Sequence, residues 1–222
     1  MAKSKSNHEI EIKLRIKDVP ALRRRLKQLS ARRISPPSYE RNTLYDTPKR
    51  DLARRDRLIR IRIEQPSSYS RGEHRPLPTK TILTYKGPAQ SAAQSRHAIG
   101  APKRKARYKV KQELEVFISD GEQMGRILAA LGMRPSFRYE KIRTTYALPR
   151  IRNLKIEFDE TPIGPFLELE GSASAIDRVA KLLGFSHSDY ITETYGALYV
   201  EHSHSRGHNP TDMLFSPSKK SP

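Results

Sequence analysis

Three pairs of glutamates recur at a spacing of two residues: Glu9 with Glu11, Glu113 with Glu115, and Glu168 with Glu170. On an extended strand, residues i and i+2 share a face and lie about 7 Å apart, so each pair presents two carboxylates in a row. Like charges that close repel unless a cation lies between them. Basic residues show the same spacing in Arg60 with Arg62 and Lys141 with Arg143, and Lys13 follows the first acidic pair. The cation could therefore come from lysines and arginines on neighbouring strands, or from divalent metal ions. Carboxylate oxygens without cysteine and with little histidine suit Mg²⁺ or Mn²⁺ rather than zinc. Arginines grip phosphate oxygens through bidentate bonds and lysines act as point charges, so the combination can hold a polyanion together with metal. A single charged strand face has a plainer meaning, because antiparallel sheets usually turn such a face to water. The recurrence of matched pairs on several strands asks for more.

The chain has 222 residues, with 43 Lys plus Arg against 24 Asp plus Glu, for a formal net charge of +19. That length supports one large domain or two small ones with an adequate core. With 36% apolar residues, no run long enough to cross a bilayer and no hydrophobic signal core behind Met1, a soluble cytoplasmic protein without membrane contact is expected. The absence of cysteine excludes disulfides, thiolate zinc sites and a cysteine nucleophile. The charge excess implies an anionic partner or ligand: nucleic acid, nucleotide or polyphosphate.

The elements that must position these residues follow from periodicity. Glu9, Glu11, Lys13 and Arg15 alternate with Ile10, Ile12, Leu14 and Ile16, which separates a charged from an aliphatic strand face. The same alternation marks Ile59–Glu64, Val110–Val116, Lys141–Arg143, Leu154–Asp159 and Leu167–Glu170, with shorter strands expected at Tyr39–Tyr45 and Thr81–Lys86. Asp18 can cap a helix carrying Leu22, Leu26 and Leu29, and Asp120 a second carrying Met124, Ile127, Leu128 and Leu131. A third is expected after Ser174, ending at Gly184, and a last one containing Ile191, Tyr195 and Leu198. This order predicts an α+β domain dominated by antiparallel strands. If the strands close into a barrel with charged faces inward, the aliphatic faces lie outside and need the amphipathic helices as cover.

The residues then resemble a known family. His8-Glu9-Ile10-Glu11-Ile12-Lys13 matches the E-x-E-x-K signature of the CYTH family, whose members include class IV adenylyl cyclases, thiamine triphosphatases and inorganic tripolyphosphatases. Leu58-Ile59-Arg60-Ile61-Arg62, Leu83-Thr84-Tyr85-Lys86-Gly87-Pro88, Glu113-Leu114-Glu115, Lys141-Ile142-Arg143, Phe158-Asp159 and Phe166-Leu167-Glu168-Leu169-Glu170 follow in the family's order. Thr194-Tyr195-Gly196-Ala197-Leu198 is similar to its closing helix, and the similarity covers roughly residues 8 to 200. The resemblance implies an eight-stranded antiparallel β-barrel with flanking helices, a triphosphate tunnel that binds a triphosphate with one or two divalent ions. It implies Glu9, Glu11, Glu113, Asp159, Glu168 and Glu170 as metal-site carboxylates. It also implies Lys13, Arg60, Arg62, Lys86, Lys141, Arg143 and Lys155 as triphosphate ligands, with Glu9, Glu11, Lys13 and Tyr195 as catalytic candidates. Tyr195 could equally be a helix packing residue. The Leu-Thr-Tyr-Lys-Gly-Pro and Gly164-Pro165-Phe166-Leu167-Glu168 stretches look closer to the cyclases, which convert ATP to cyclic AMP and pyrophosphate. The alternatives are a tripolyphosphatase or thiamine triphosphatase on the same scaffold, and a nonenzymatic nucleic-acid or polyphosphate binder.

The tunnel domain is expected over residues 7–201, between a basic tail at 1–6 and a disordered His- and Ser-rich tail at 202–222. Insertions near 66–78 and 89–107 are rich in Ser, Pro and basic residues and read as flexible. Lys103-Arg104-Lys105-Ala106-Arg107 beside Tyr108 is a basic patch able to contact nucleic-acid phosphates weakly, against the plainer reading of a solvated insertion. Lys111 stands where many family members carry arginine, His202, His204 and His208 receive no role, and a homodimer is left open.

Overall fold

The computed structural model describes residues 8–66, 78–89 and 107–216. The expected tail at 1–6 and nearly all of the two basic insertions, including residues 103–106 of the basic patch, lie outside the described residues.

Strands β1 (His8–Arg15), β3 (Ser38–Asp46), β4 (Leu58–Pro66), β5 (Lys80–Ala89), β6 (Lys109–Phe117), β7 (Arg134–Leu148), β8 (Ile151–Thr161) and β9 (Gly164–Gly171) pair in the order β7-β3-β4-β5-β6-β1-β9-β8. A further β7–β8 pairing closes the ring, and every neighbour pair is antiparallel. Eight strands thus form a closed barrel, as expected. A two-residue strand, β2 (Arg32–Arg33), adds to the far half of β7. The longest strand, β7, was legible in sequence only at Lys141–Arg143. Its first half pairs with β3 and its second half with β8, so one strand serves two neighbours.

The barrel is inverted, with charge inside and aliphatic residues outside. Ile12, Leu14, Ile156, Leu167 and Leu169 are fully buried on the outer faces of β1, β8 and β9. Two helices cover them: α1 (Val19–Gln28) through Leu22 and Leu26, and α4 (Ala173–Leu182) through Ile176, Val179 and Ala180. Burying each large aliphatic side chain is worth about 1.5–3 kcal/mol, so this layer holds the charged face inward. The Asp18 carboxylate caps α1 by accepting from the Ala21 amide at 2.8 Å. For α4 the cap is Ser172, two residues before the expected start, because its Oγ reaches the Ala175 amide.

Cover is incomplete elsewhere. A one-turn helix, α2 (Asp51–Arg54), lies between β3 and β4, and helix α3 (Gly121–Ala130) approaches β4 and β5 through Gly121, where a Cβ would lie 2.9 Å from Thr81 Cγ2. Only Leu128 of its expected stripe is buried; Ile127 and Leu131 are exposed, as are Leu114 and Val116 on β6.

At the C-terminus, Ile191 is not helical. It bridges Lys13 through two backbone hydrogen bonds, so the last helix, α5 (Tyr195–His204), starts at its Thr194 cap. The chain beyond residue 201 also departs from the expected disordered tail as far as residue 216. The helix runs on to His204, Met213 is fully buried, and Asp212 to Phe215 bond to β7 at Arg138 and Glu140. The reason is the geometry of β7: β8 does not reach its first half, and the returning chain supplies the missing backbone partners.

Candidate functional site

A cavity of about 580 Å³ occupies the barrel interior. Eight Lys or Arg side chains line it (Lys13, Arg60, Arg62, Lys86, Lys109, Lys141, Arg143 and Lys155) together with seven glutamates (Glu9, Glu11, Glu113, Glu115, Glu157, Glu168 and Glu170). Antiparallel register brings them together: Glu9 and Glu11 on β1 stand opposite Lys111 and Lys109 on β6, while Lys13 and Glu11 stand opposite Glu168 and Glu170 on β9.

Each cation is braced. Lys13 Nζ lies 3.2 Å from Glu11 and 3.1 Å from Glu168, and sits 5.1 Å from the centroid of the Tyr195 ring. Lys86 Nζ contacts Glu9 and lies 3.1 Å from Glu113. The Arg60 guanidinium donates to Tyr139 Oη and Thr84 Oγ1, both at 3.2 Å, while its buried Nε has no partner. Arg62 donates to Asn42 and Glu64. Arg143 meets Glu157, Asp159 and Glu168 at once. Lys155, at the exposed rim, pairs with Glu170 at 2.9 Å.

The acids titrate apart. Burial pushes the Glu113 carboxyl up to about 8, and a side-chain hydrogen bond with Glu9 adds to the rise. Glu9 is correspondingly lowered, against its own burial, by that hydrogen bond and by Lys86. Burial likewise raises Glu157 to about 7, with Arg143 opposing and Glu168 reinforcing. Glu11 is buried, yet Lys109 and Lys13 hold its carboxyl well below the usual range. Glu9 and Glu113 also converge on the same Lys86 Nζ, and two carboxylates held that near each other mark a place where a divalent cation can bind. Mg²⁺ commonly takes one or two protein carboxylates and completes its octahedron with water and phosphate oxygens, and the Glu9–Glu113 pair fits that demand. Among the described residues, no group of three acidic or histidine side chains is close enough to enclose an ion without such additional ligands.

Of the fourteen residues singled out in sequence, thirteen face the cavity. Asp159 does not. It is fully buried behind the wall, where Lys141, Arg143 and the Tyr195 hydroxyl all donate to it. Tyr195 combines both readings given to it, lining the cavity while packing against Phe166 and Tyr139. Lys111 turns away to pair with Asp56 at 2.6 Å. Sequence reasoning missed Glu40, Lys109, Tyr139 and the role of Glu157. The signal for Glu40 was its place in the alternation Glu40, Asn42, Leu44 on an expected strand. It is 1% exposed and lies 3.4 Å from both Arg62 Nε and Lys141 Nζ and 3.7 Å from Arg143 Nε. Burial opposes its ionisation, but Arg62, Lys141 and Arg143 outweigh that and hold its carboxyl at about 2. Sequence also gave no sign of the cavity's apolar lining, where Leu44 stands opposite Phe137, Leu58 lies two residues from Leu44's other partner Arg60, and a Cβ on Gly196 would lie 3.4 Å from the Phe137 ring. There the Phe137 and Tyr139 rings stack with centroids 5.9 Å apart.

A closed barrel whose interior balances basic forks against carboxylates defines a class of polyanion-binding tunnel. The model of the CYTH domain matches residues 7–193, and the chain belongs to the CYTH family. It is 28% identical over 176 residues to a Methanocaldococcus jannaschii protein named provisionally as an adenylate cyclase, covering 79% of this chain and 83% of that one. Among solved structures, a Vibrio parahaemolyticus protein with the same provisional name shares the fold at TM-score 0.65 and 18% identity, covering 87% of this chain and 98% of that one. A Hippeastrum protein, provisionally named an adenylyl cyclase and described as revealing a dominant triphosphatase activity, matches at TM-score 0.54 and 17% identity over 95% of this chain and 99% of that one.

Proposed function

We propose that the protein is a divalent-metal-dependent enzyme acting on an organic triphosphate, with ATP conversion to cyclic AMP and pyrophosphate as the leading reaction. The observation that carries this reading is the barrel cavity, in which basic and acidic side chains interleave and which has an apolar, aromatic wall. The cations suit a chain of phosphates, and the partnerless Arg60 Nε is a buried donor available to one. The wall of Leu44, Leu58, Phe137 and the Tyr139 ring offers a planar organic group a surface that an inorganic tripolyphosphate does not need.

In this assignment Arg60, Arg62, Lys141 and Arg143 orient the phosphates, with Lys13, Lys86 and Lys155 adding further positive charge. Glu9 and Glu113 hold the Mg²⁺ or Mn²⁺, flanked by Glu11, Glu168 and Glu170. When bound, the metal supplies charge neutralisation and lowers the proton affinity of an attacking hydroxyl or water. Asp159 serves as the brace that fixes Lys141, Arg143 and Tyr195. Tyr195 borders the reacting region without a proton to give readily, since burial and Asp159 raise its hydroxyl well above its ordinary value.

The second reading, hydrolysis of the terminal phosphate, is favoured by the activity described for the Hippeastrum neighbour. Both reactions need the same positioning and differ in which phosphorus is attacked. Incubating the protein with Mg²⁺ or Mn²⁺ and ATP, tripolyphosphate or thiamine triphosphate, followed by chromatography and phosphorus NMR, separates them. Cyclic AMP with pyrophosphate establishes the cyclase; orthophosphate establishes a hydrolase. Glu11→Ala, which removes a carboxylate touching Lys13 and Lys109, is expected to abolish turnover. Full activity in that variant would overturn both readings.

A further inference from the structure

The cavity does not account for the charge of the molecule. Its eight lysines and arginines face seven glutamates, so it contributes one unit of the +19. The excess lies outside the tunnel, and the fold concentrates part of it. No Asp or Glu occurs between Asp18 and Glu40, nor between Glu140 and Glu157. These two acid-free stretches are remote in sequence, yet the β2–β7 ladder sets them side by side: Arg32 stands opposite Ala147, Arg33 opposite Tyr146, and the Ile34 amide donates to Thr145 O at 3.0 Å.

The resulting surface has three contributors. From α1 come Arg24 and Lys27, one turn apart and therefore on one side of the helix. A tight turn links the helix to Arg32 and Arg33, held by the Ala31 amide donating to Leu26 O at 2.9 Å. The β7–β8 hairpin adds Arg150, in its turn, and Arg152, just inside β8, beyond the partner of Arg32 on β7. All six are exposed, and none forms an ion pair among the described residues. Helix α1 is itself fixed, because Arg25 Nε donates to Leu182 O on α4 at 2.8 Å.

We propose that the edge where α1, β2 and the β7–β8 hairpin meet, with Arg32 and Arg33 projecting to its two sides, is a docking surface for the phosphate backbone of a nucleic acid, separate from the tunnel. Five of its six cations are arginines, whose planar forks match phosphodiester oxygens. No carboxylate occurs in the two stretches that supply them, so the charge these segments present is all of one sign. Ile34 is the single large exposed apolar residue in these segments, whereas insertion into a bilayer interface draws on several. The surface reads shape and charge and carries no base-specific element.

The test is fluorescence anisotropy of a labelled, mixed-sequence DNA duplex of about two helical turns, titrated with the full chain across a range of salt concentrations. Arg32→Ser with Arg33→Ser, and separately Arg150→Ser with Arg152→Ser, alter exposed side chains only and are expected to leave the melting temperature and triphosphate turnover unchanged. Each pair removes two phosphate contacts and is expected to reduce the magnitude of the slope of log affinity against log salt by about 1.8, with roughly tenfold weaker binding at fixed salt. Arg60→Ala, inside the tunnel, is expected to leave the slope as it was. An unchanged slope in both double variants overturns the proposal, as does loss of duplex binding in Arg60→Ala alone. Binding to phosphatidylserine vesicles with none to the duplex overturns it in favour of a membrane surface.

Discussion

Glu40 shows how one side chain decides the behaviour of several. Three cavity cations converge on its buried carboxylate, and its Oε2 makes no hydrogen bond of good geometry. Glu40→Gln keeps the shape and deletes the charge, leaving Arg62, Lys141 and Arg143 less neutralised. Removing one partner of a buried ion group costs about 3–5 kcal/mol, so a lower melting temperature is expected. The freed cations then favour phosphate, and the rise in melting temperature on adding tripolyphosphate with Mg²⁺ is expected to exceed that of the native protein; an equal or smaller rise refutes this account. Because the folded protein holds Glu40 at about 2, below its ordinary value of 4.5, its contribution is present above 4.5 and is lost as pH falls through 2. Glu113 has the opposite sign. Its folded value of about 8 exceeds the ordinary 4.5, so between those limits the native state binds the extra proton and stability falls as pH rises. Melting scans of the metal-free protein from pH 5 to pH 8 are expected to show that decline, and Glu113→Gln to make it shallower while Glu157, raised to about 7, still contributes to it. A native slope that is unaffected by the substitution would place the proton elsewhere.

At the scale of elements, the period-two alternation was enough to read strands charged on one face and aliphatic on the other, because both halves of that pattern are in the sequence; closure into an eight-stranded barrel was what the family resemblance implied. What alternation cannot show is which residues of different strands meet. Lys109 and Glu157 sit in phase with recognised site residues, yet only the β1–β6 and β8–β9 registers show that one faces Glu11 and the other Glu168. Asp159 is in phase too, but it lies where Tyr195, Lys141 and Arg143 close over it, so packing withdraws from the cavity a carboxylate that the resemblance implied for it. The segment after α5 was illegible for another reason. Its composition is polar, and its order comes from one buried methionine and a few backbone bonds to β7, none of which has a periodic signature. Met213 packs with Tyr139, Phe166, Tyr195 and Leu198, directly behind the aromatic wall of the cavity. Met213→Ala is expected to cost about 2–5 kcal/mol in denaturant unfolding. A loss below about 1 kcal/mol would mean that this segment contributes no packing to the fold.

For the molecule as a whole, the near-balance of charge inside the barrel sets how its ligands must bind. A triphosphate entering alone meets eight cations but also seven glutamates, and a divalent ion entering alone meets the reverse. Each is partly repelled by the half of the lining that would welcome the other. Bound together they would satisfy both halves, with Glu9 and Glu113 holding the metal while the lysines and arginines hold the phosphates. Positive coupling is therefore built into the composition of the cavity and does not depend on any single side chain. Thermodynamic linkage makes the effect reciprocal: the factor by which Mg²⁺ tightens tripolyphosphate must equal the factor by which tripolyphosphate tightens Mg²⁺. Calorimetric titrations around the four-sided cycle, beginning with EDTA-treated protein, measure both factors after correction for the complex the two form in solution. A coupling of 5- to 150-fold, about 1–3 kcal/mol, is expected. Glu113→Gln should shrink it from both sides equally, since that substitution removes one carboxylate of the pair assigned to the metal. Independent binding of the two ligands would mean that the glutamates serve only to brace the cations, and would remove metal from the proposed reaction while leaving the phosphate site in place.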